Sequence, residues 1–445
     1  MSQTILQTAS LLAKEAVPEA GLPSSLETQM NLTPAQNETA VTLRSEWIHT
    51  QEGFDRLQQD WQTLFAQTGS RNAFLVHGWM ATWWKHWGDQ AKLAIVAVRN
   101  QQGELLGLAP FYISRVRGLR RLGFLADARV GSDYLGILMH PAYEAGVTGE
   151  VVRALAAHRK QWDYLEFQDA QDSPQFNRFA DALEASGMTQ RRMDASVCPF
   201  AELPPTVEAY LGSLSGGWRR DYGRRNRVLE RENGVEFVAL TSREDMERAF
   251  PDLVRLHGMR FDQQELDSAF LKPGVPEFHA EALKSMADGG WARMFLLRTK
   301  AETTAAGADE TIAALYGFAV GSGFQYYQLG IDPGWQKSGL GKVIMGRVIG
   351  HSIENGCVEF DMLRGGEGYK ANWVNQTRKT LTVRFFDRRW RSGLAQAGFR
   401  ARLWASQGKA FWNQKMAERR NRNTAPAAGE EKATETKPVT GELSK

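Results

Sequence analysis

The stretch that decides the fold of this chain is Leu329-Gly330-Ile331-Asp332-Pro333-Gly334-Trp335-Gln336-Lys337-Ser338-Gly339-Leu340-Gly341. It ends a run rich in aromatic and β-branched residues, Phe324 to Ile331, which predicts a β-strand. After it, apolar residues recur at a spacing near 3.6 and stop before Asn355-Gly356, which predicts an α-helix. A strand that enters a helix through a glycine turn leaves backbone N–H groups without partners at the positive end of the helix. The stretch therefore predicts a binding site for a pyrophosphate.

The composition limits the class of protein. A length of 445 residues is enough for about two or three domains, and no apolar run approaches the length that crosses a bilayer. The start of the chain shows no secretory signal, and the two cysteines, Cys198 and Cys357, allow at most one disulfide. We therefore expect a cytoplasmic protein. The eight histidines do not cluster, so no metal site is expected, and a net charge of +3 does not imply whole-molecule affinity for nucleic acid.

The two ends of the chain differ in composition from the part between them. Residues 1–44 are rich in Ala, Ser, Thr, Gln, Pro and Glu and show no sustained period, so we expect a disordered arm. Residues 416–445 form a polar tail by the same argument. The folded part is therefore expected between residues 45 and 415.

The order of predicted elements occurs twice in this folded part. The later copy comprises strands Arg293–Arg298, Ile312–Gly321 and Phe324–Ile331, a helix after Pro333, and strand Val358–Leu363. The earlier copy comprises strands Leu93–Val98, Leu105–Ser114 and Tyr134–Met139, a helix after Pro141, and strand Tyr164–Gln168. We therefore predict an α/β protein with two tandem modules of one fold, residues 45–205 and 206–415, each with a mixed sheet flanked by helices. The alternative is one large α/β domain with a helical insert.

The glycine turn distinguishes the two copies. The earlier copy has Pro141-Ala142-Tyr143-Glu144-Ala145-Gly146 where the later copy has Gln336-x-x-Gly339-x-Gly341. Without those glycines the backbone cannot approach a pyrophosphate as closely. The later pattern matches the acyl-CoA pyrophosphate loop of the GNAT acetyltransferases, so only the later module is expected to bind acyl-CoA.

The chain as a whole resembles the double-GNAT bacterial proteins described as CelD/BcsL-like, which are related to the Fem-type peptidoglycan aminoacyltransferases. The resemblance covers about Ser45 to Trp412. It is carried by Phe74-Leu75-x-x-x-Trp79-x-x-x-Trp83-Trp84, by Ser132-Asp133-Tyr134, by the basic run after Trp218, and by Phe360-Asp361-x-Leu363-x-Gly365-Gly366-Glu367-x-Tyr369-Lys370-x-x-Trp373. It implies two GNAT-like modules, N- or O-acyl transfer and a role in cell-surface polysaccharide production, and it leaves the acceptor undefined.

The resemblance also implies a set of cofactor-binding residues. The backbone N–H groups around Leu329 to Ile331 would face the thioester carbonyl. The full set is Leu329, Gly330, Ile331, Gln336, Lys337, Ser338, Gly339, Leu340 and Gly341.

The run from Asp361 to Lys370 follows the next predicted strand, at the sheet edge where open α/β sheets bind ligands. Acyl transfer from a thioester needs a base for the acceptor and a proton for the leaving thiolate. Glu367 or Asp361 can serve as the base and Tyr369 as the acid. Lys370 or Arg364 can hold an anionic acceptor or a CoA phosphate. The alternative is a polar turn in which Asp361 caps the strand end and Lys370 is solvated.

Acceptor binding has two further candidates. Arg220, Arg224, Arg227 and Arg231 fall on one face of a predicted helix, where they can bind phosphate of the cofactor or of a nucleotide- or lipid-linked acceptor. A tRNA is a possible partner of this stripe, and a solvated basic surface is the alternative. Asp133 and Tyr134 can face the cleft between the modules, or simply begin a strand.

A helix of spaced tryptophans begins the earlier copy. Trp79, Trp83 and Trp87 share one helix face, so they predict core packing, with a sugar-stacking surface as the alternative.

These features predict an acyl-CoA-dependent N- or O-acyltransferase that acts by direct transfer on a sugar or surface-polysaccharide precursor. No cysteine lies in the run from Asp361 to Lys370, which favours direct transfer over a covalent intermediate. Two other functions stay open. One is a non-catalytic binding or scaffold protein of polysaccharide biosynthesis, and the other is a Fem-like transferase that depends on aminoacyl-tRNA.

Overall fold

The computed structural model describes residues 41–127, 129–265, 267–300, 309–365, 368–402, 404 and 415–416. Nearly all of the expected arm and tail lie outside these residues, and so does the candidate base Glu367. From Thr42 onward the chain forms one compact unit. Among the helices that the structure describes, none has the length and apolar character needed to cross a membrane.

The first half of this unit contains five α-helices and nine strands among its described residues. In chain order they are β1 (Arg44–Ile48), α1 (Gln51–Arg56), α2 (Gln58–Gln67), α3 (His77–Trp87), β2 (Lys92–Leu93), β3 (Ile95–Arg99), β4 (Leu105–Ala109), β5 (Phe111–Val116), β6 (Leu119–Phe124), β7 (Leu138–Met139), α4 (Glu144–Ala157), β8 (Tyr164–Gln171), α5 (Pro174–Ala185) and β9 (Thr189–Glu202).

The second half continues the same alternation. Its elements are α6 (Val207–Ser213), α7 (Gly216–Arg227), β10 (Val235–Leu240), α8 (Arg243–Gln263), α9 (Val275–Asp288), β11 (Ala292–Thr299), β12 (Glu310–Val320), β13 (Gly323–Ile331), α10 (Leu340–Glu354), β14 (Glu359–Asp361) and β15 (Gln376–Phe386).

The strands form two sheets, and the larger one runs through both halves. The small sheet has the order β1-β3-β4-β7, and the large sheet has the order β10-β11-β12-β13-β14-β9-β15-β8-β6-β5-β2. Strand β9 of the first half pairs with β14 of the second, and β15 of the second half pairs with β8 of the first. The predicted α/β class with two related halves and mixed sheets is confirmed. The halves do not have a separate sheet each, because β9 and β15 are exchanged between them.

The first half departs from the predicted strands in several places. The predicted strand Leu93–Val98 is divided at Ala94, so that β2 joins the large sheet and β3 the small one. The predicted strand Leu105–Ser114 is divided at Pro110, which has no N–H to donate, so β4 joins the small sheet and β5 the large one. The predicted strand Tyr134–Met139 is wrong except at Leu138–Met139, because Tyr134 has a left-handed backbone with φ 57°. Strand β6 was not predicted, and it pairs with both β5 and β8.

The second half agrees with the deciding stretch. Strand β13, a 3₁₀ turn over Pro333–Ser338 and helix α10 follow one another as predicted. Helix α10 buries its apolar face in a core that includes Tyr222 of α7 and Trp373. The backbone of α10 comes so close to these rings that a Cβ on Gly346 would lie 2.3 Å from Tyr222 and 2.9 Å from Trp373.

The predicted tryptophan face of α3 also packs in the core. Trp79 and Trp83 are buried, and Trp87 packs against the same cluster.

A pair of alanine substitutions in α10 tests this packing. Gly346→Ala is expected to lower the free energy of unfolding by about 1–3 kcal/mol, because the added methyl overpacks the contact with Tyr222. Gly350→Ala in the same helix is the control, since its Cβ would meet nothing closer than 3.8 Å. Its higher helix propensity should raise stability by up to about 1 kcal/mol. Urea unfolding followed by circular dichroism measures both, and equal effects of the two substitutions would contradict the close packing.

Candidate functional site

A cavity of about 270 Å³ lies where strands β13 and β14 separate. The two strands pair in parallel only from Gly323–Glu359 to Gln325–Asp361. Strand β14 ends there, whereas β13 continues to Ile331. Both halves of the unit line the resulting gap. The residues that line the cavity include Arg129, Asp133, His257, Arg260, Ser268, His279, Tyr326, Tyr327, Leu329, Leu363, Arg364, Tyr369 and Lys370.

A β-bulge distorts β13 at the cavity. Tyr316 pairs with Gln328 and Gly317 pairs with Tyr326, so Tyr327 is the extra residue. The Tyr327 hydroxyl donates to the carbonyl of Val130 in the first half. The bulge therefore aims a side chain of the second half at the loop of the first half that closes the cavity.

His257 of α8 holds the strand next to this bulge. Its Nδ1 lies 3.3 Å from the carbonyl oxygen of Leu329, which can only accept, so Nδ1 carries the hydrogen. Its Nε2 lies 2.8 Å from the Ser268 hydroxyl. Burial lowers the pKa of His257 to about 4, so the ring is neutral and Nε2 accepts from Ser268. His257 thus fixes the carbonyl of Leu329 toward the cavity.

His279 of α9 is the second buried histidine of the cavity. It is 1% exposed, and its Nε2 lies 3.3 Å from the Tyr327 hydroxyl. Burial lowers the pKa of His279 to about 3. Because the Tyr327 hydroxyl donates to Val130, we infer that Nε2 of His279 donates to that hydroxyl. Its Nδ1 has no hydrogen-bond partner among the described residues.

Two tyrosines meet across the gap. The hydroxyls of Tyr326 on β13 and Tyr369 after β14 are 3.3 Å apart. The structure therefore places the predicted acid Tyr369 in the cavity and adds Tyr326, which the sequence analysis missed. A tyrosine within a strand is typical of core packing, so only its position opposite Tyr369 distinguishes it.

Arg364 is tied to the first half by buried carboxylates. Its Nε lies 2.7 Å from Asp133 Oδ1, its backbone N–H donates to Asp133 Oδ2 at 2.9 Å, and a terminal nitrogen lies 3.1 Å from Asp169. Asp133 is fully buried. The predicted acceptor-binding residues Arg364 and Asp133 are therefore paired with each other, and their binding role stays a prediction.

Lys370 lines the cavity but is itself buried, with 3% of its surface exposed. Its Nζ donates to the carbonyls of Met362 at 3.1 Å and Arg364 at 2.8 Å. These bonds tie together the two ends of the loop after β14. A further contact of its side chain with an acceptor stays a prediction.

Asp361 and Tyr134 face away from this cavity. The Tyr134 hydroxyl donates to Asp361 at 3.2 Å, and both residues line a separate pocket with Arg378. Burial raises the pKa of Asp361 to about 6. The structure thus brings Asp133, Arg364, Tyr369, Lys370 and Leu329 together, and it does not bring Asp361 or Tyr134 to the same cavity.

The predicted pyrophosphate loop follows the carboxyl end of β13, beyond the residues of the strand that line the cavity. Gly339 has φ 74° and is the N-cap of α10, without a side-chain capping bond. A Cβ at this position would lie 2.8 Å from Arg225 of α7, whose Nη1 donates to the Lys337 carbonyl at 2.8 Å. Arg225 is a residue that the sequence analysis missed, because it lies beside the predicted arginine stripe and not in it.

The cations near the loop share one carboxylate. Arg224, Arg225 and Lys342 all contact Asp221, and their hydrogen bonds, led by that of Lys342, lower the pKa of Asp221. Three cations and one carboxylate leave a net positive charge beside the N-terminus of α10. Arg220, the other acceptor-binding candidate on α7, is exposed, and neither it nor Arg224 lines the cavity.

These residues fit a pyrophosphate. The first turn of α10 offers backbone N–H groups that have no partner within the helix, and the positive φ at position 339 favours glycine there. No group of three or more histidine, cysteine or acidic residues suited to a metal ion occurs in the part of the chain that the structure describes.

Comparison with known families identifies the kind of domain. Residues 217–371 match the family model described as an acetyltransferase (GNAT) domain. The match begins in α7 and ends after Tyr369, so it includes the glycine loop and the second-half side of the cavity around β13 and β14. The chain thus contains a GNAT acetyltransferase domain, and this domain makes it an acyltransferase enzyme. No curated protein matches the chain in sequence.

Several solved structures are similar to this chain at low sequence identity. FemX is similar with a TM-score of 0.52 and 11% identity, over 76% of this chain and 96% of FemX. A conserved protein of unknown function from Bacteroides thetaiotaomicron reaches a TM-score of 0.48 with 12% identity, over 74% of this chain and 97% of that protein. A tandem GNAT protein from the clavulanic acid biosynthesis pathway reaches 0.41 with 14% identity, over 76% of this chain and 98% of that protein. The similarity to FemX shows that the double-GNAT architecture extends over most of the chain.

The neutral state of His279 generates a prediction about acid stability. An unfolded histidine has a pKa of about 6.5, so the unfolded state binds a proton that the folded state excludes. The contribution of the uncharged His279 ring to the free energy of unfolding is therefore fully present above about pH 6.5 and is lost as the pH falls toward about 4. The loss from this residue is about 3 kcal/mol. His279→Gln should make the fall in the urea midpoint over this range shallower. His49→Gln, at an exposed histidine, is the control, and equal slopes for the wild type and His279→Gln would refute the assignment.

Proposed function

We propose that the chain is an acyl-CoA-dependent N- or O-acyltransferase that transfers an acyl group directly to a sugar or surface-polysaccharide precursor. The observation that supports this most is the course of β13. One end of the strand leads into the glycine loop of α10, and its middle lines the cavity beside the separated β14. A single strand thus connects a phosphate-binding helix end to a cavity with candidate proton donors.

Acyl-CoA is proposed to bind with its pyrophosphate on the backbone from Gln336 to Gly341. Lys337 is exposed beside this loop, and Arg225 and Lys342 add positive charge from the side. The proposed contacts to Gln336, Ser338, Leu340 and Gly341 are made by the backbone and need no particular side chain.

The backbone of Leu329 is proposed to stabilise the oxyanion. In an extended strand the N–H and C=O of one residue point to the same side. Because the C=O of Leu329 is bonded to His257, the N–H of Leu329 also points away from β12. It can therefore donate to the thioester oxygen as negative charge develops there. Gly330 and Ile331 continue the strand toward the loop.

Proton transfer is assigned to residues after β14. Glu367 removes the proton of the attacking amine or hydroxyl, the acceptor atom forms a bond to the thioester carbon, and the carbon–sulfur bond breaks. Tyr369 gives its proton to the departing sulfur, and the Tyr326 hydroxyl, 3.3 Å away, stabilises the phenolate left behind. No cysteine lines the described part of the cavity, which favours direct transfer.

The acceptor is proposed to enter from the first half. Residues 129–133 line the cavity, and Arg129 and Arg260 add cations suited to a phosphate-linked precursor. The CelD/BcsL-like resemblance favours a surface polysaccharide as the destination.

Substitution of Gly339 tests the cofactor site. Gly339→Leu should abolish acetyl-CoA binding measured by calorimetry, because the side chain would fill the approach to the loop and collide with Arg225. Gly290→Leu is the matched control, since Gly290 has the same φ of 74° and no atom within 4 Å of its Cβ. It imposes the same backbone strain and should keep binding. Normal acetyl-CoA binding by folded Gly339→Leu would overturn the assignment.

Conservative substitutions test the proton transfers. Glu367→Gln and Tyr369→Phe should each lower kcat by about 10²-fold or more with little change in acetyl-CoA affinity, because each removes a proton-transfer group and keeps the shape. Tyr326→Phe should have a smaller effect in the same direction.

Acylation of the surface glycan, measured by mass spectrometry in cells with and without the protein, identifies the acceptor class. Wild-type turnover in both main variants, with an unchanged glycan, would refute the proposal.

Two observations favour the alternative function, a Fem-like transferase that depends on aminoacyl-tRNA. The arginine stripe on α7 is exposed, and the fold is shared with FemX. Binding that requires charged tRNA and weakens steeply with salt would select that alternative. A protein that binds neither acyl-CoA nor tRNA would be a scaffold that keeps only the fold.

A further inference from the structure

A groove separate from the cavity lies in the first half. It has a volume of about 950 Å³ and lies where the edge strand β1 of the small sheet and the edge strand β2 of the large sheet come together. The side chains that matter are Trp47, Trp84, Lys92, Arg115, His158 and Lys160, and we call this surface the indole groove. None of its lining residues lines the cavity at β13 and β14.

The aromatic side chains of the indole groove are held rigidly. Trp47 stacks on His158 with ring centroids 4.1 Å apart and planes within 12°. The His158 ring is fixed in turn, because its Nδ1 donates to the Ala154 carbonyl at 2.9 Å. Trp84 lies against Gly88, where a Cβ would approach the indole to 2.7 Å, and its Nε1 donates to Gln51 at 3.0 Å. The two indoles therefore need little ordering when a ligand binds.

The charges of the indole groove are unbalanced. Lys92, Arg115 and Lys160 are exposed and form no ion pair with any described residue. Arg120 also lines the groove, but its charge is paired with Asp163. Asp89 is the one carboxylate among the described lining residues. The charge of the groove therefore favours an anionic ligand.

We propose that the indole groove binds an acidic oligosaccharide, with sugar rings against the indoles and carboxylates at the three cations. Flat aromatic surfaces suit the C–H faces of sugar rings, and the cations of the groove suit the acidic groups. A nucleic acid fits less well, because its phosphates are dense and the groove offers few unpaired cations and one carboxylate. The choice of a glycan rests on the proposed function. The groove would then hold the polymer while the cavity acylates a sugar of it.

Calorimetry with a short oligogalacturonide tests the inference. The wild type should bind it, and Trp84→Ala should weaken binding by about tenfold or more. The double substitution Lys92→Glu/Arg115→Glu should do the same without disturbing the core, because both side chains are exposed. Trp390→Ala is the control, since Trp390 is 70% exposed and lies outside the groove.

The other arms separate the possible results. A neutral maltooligosaccharide of equal length should bind more weakly, and a single-stranded oligonucleotide should not bind more tightly than the oligogalacturonide. No binding of the oligogalacturonide, unchanged binding in the charge-reversed variant, or preference for the oligonucleotide would overturn the inference. Acetyl-CoA binding, measured in parallel, should persist in the groove variants. Loss of acetyl-CoA binding in Gly339→Leu alone bears on the proposed function. It does not bear on the inference about the indole groove.

Discussion

Strand β9 leaves the first half and pairs with β14 of the second, and the positions of the functional elements depend on this pairing. Strand β15 then lies between β9 and β8, so a single sheet passes through both halves. Each backbone hydrogen bond contributes about 0.5–1.5 kcal/mol, and the long β9–β15 ladder adds many of them. Because the halves share this sheet, the first-half loop at residues 129–133 is fixed against the cavity and does not depend on a flexible domain contact.

Three sequence motifs converge beside that sheet. Trp79 donates through Nε1 to the Ser132 hydroxyl at 3.0 Å, the next residue Asp133 holds Arg364, and Tyr134 donates to Asp361. The buried Asp133 would be left as an unpaired charge without Arg364, which typically costs about 3–5 kcal/mol. These motifs lie far apart in the chain but contact one another in the structure. Their contacts hold the loop after β14 in place and separate the cavity from the pocket of Asp361.

Three of the polar side chains that line the cavity, His257, His279 and Tyr327, are kept neutral by burial. The low pKa values of His257 and His279 leave both rings uncharged at neutral pH, and burial raises the pKa of Tyr327. A neutral imidazole can donate through one nitrogen and accept through the other, which His257 uses to join Leu329 to Ser268. The site therefore orients the strand backbone with neutral hydrogen bonds, whereas the residues proposed for proton transfer come after β14.

The sequence alone determined the strand, glycine turn and helix from Phe324 to Glu354 and the duplication, because these features rest on local periodicity, on the order of elements and on glycine's backbone freedom. The enzyme class came from the resemblance of the glycine loop to that of the GNAT acetyltransferases. It also predicted that Tyr369 and Lys370 lie near β13, the strand expected to face the thioester carbonyl. The structure places both residues in the cavity beside β13. Only the tertiary structure showed the exchange of β9 and β15, the position of Tyr326 opposite Tyr369, and the hydrogen bond of Arg225 to the glycine loop. The alternation of apolar and polar residues shows that a strand is paired in a sheet, but it does not show which strand is the partner. Contacts between residues far apart in the chain produce no local periodicity in the sequence.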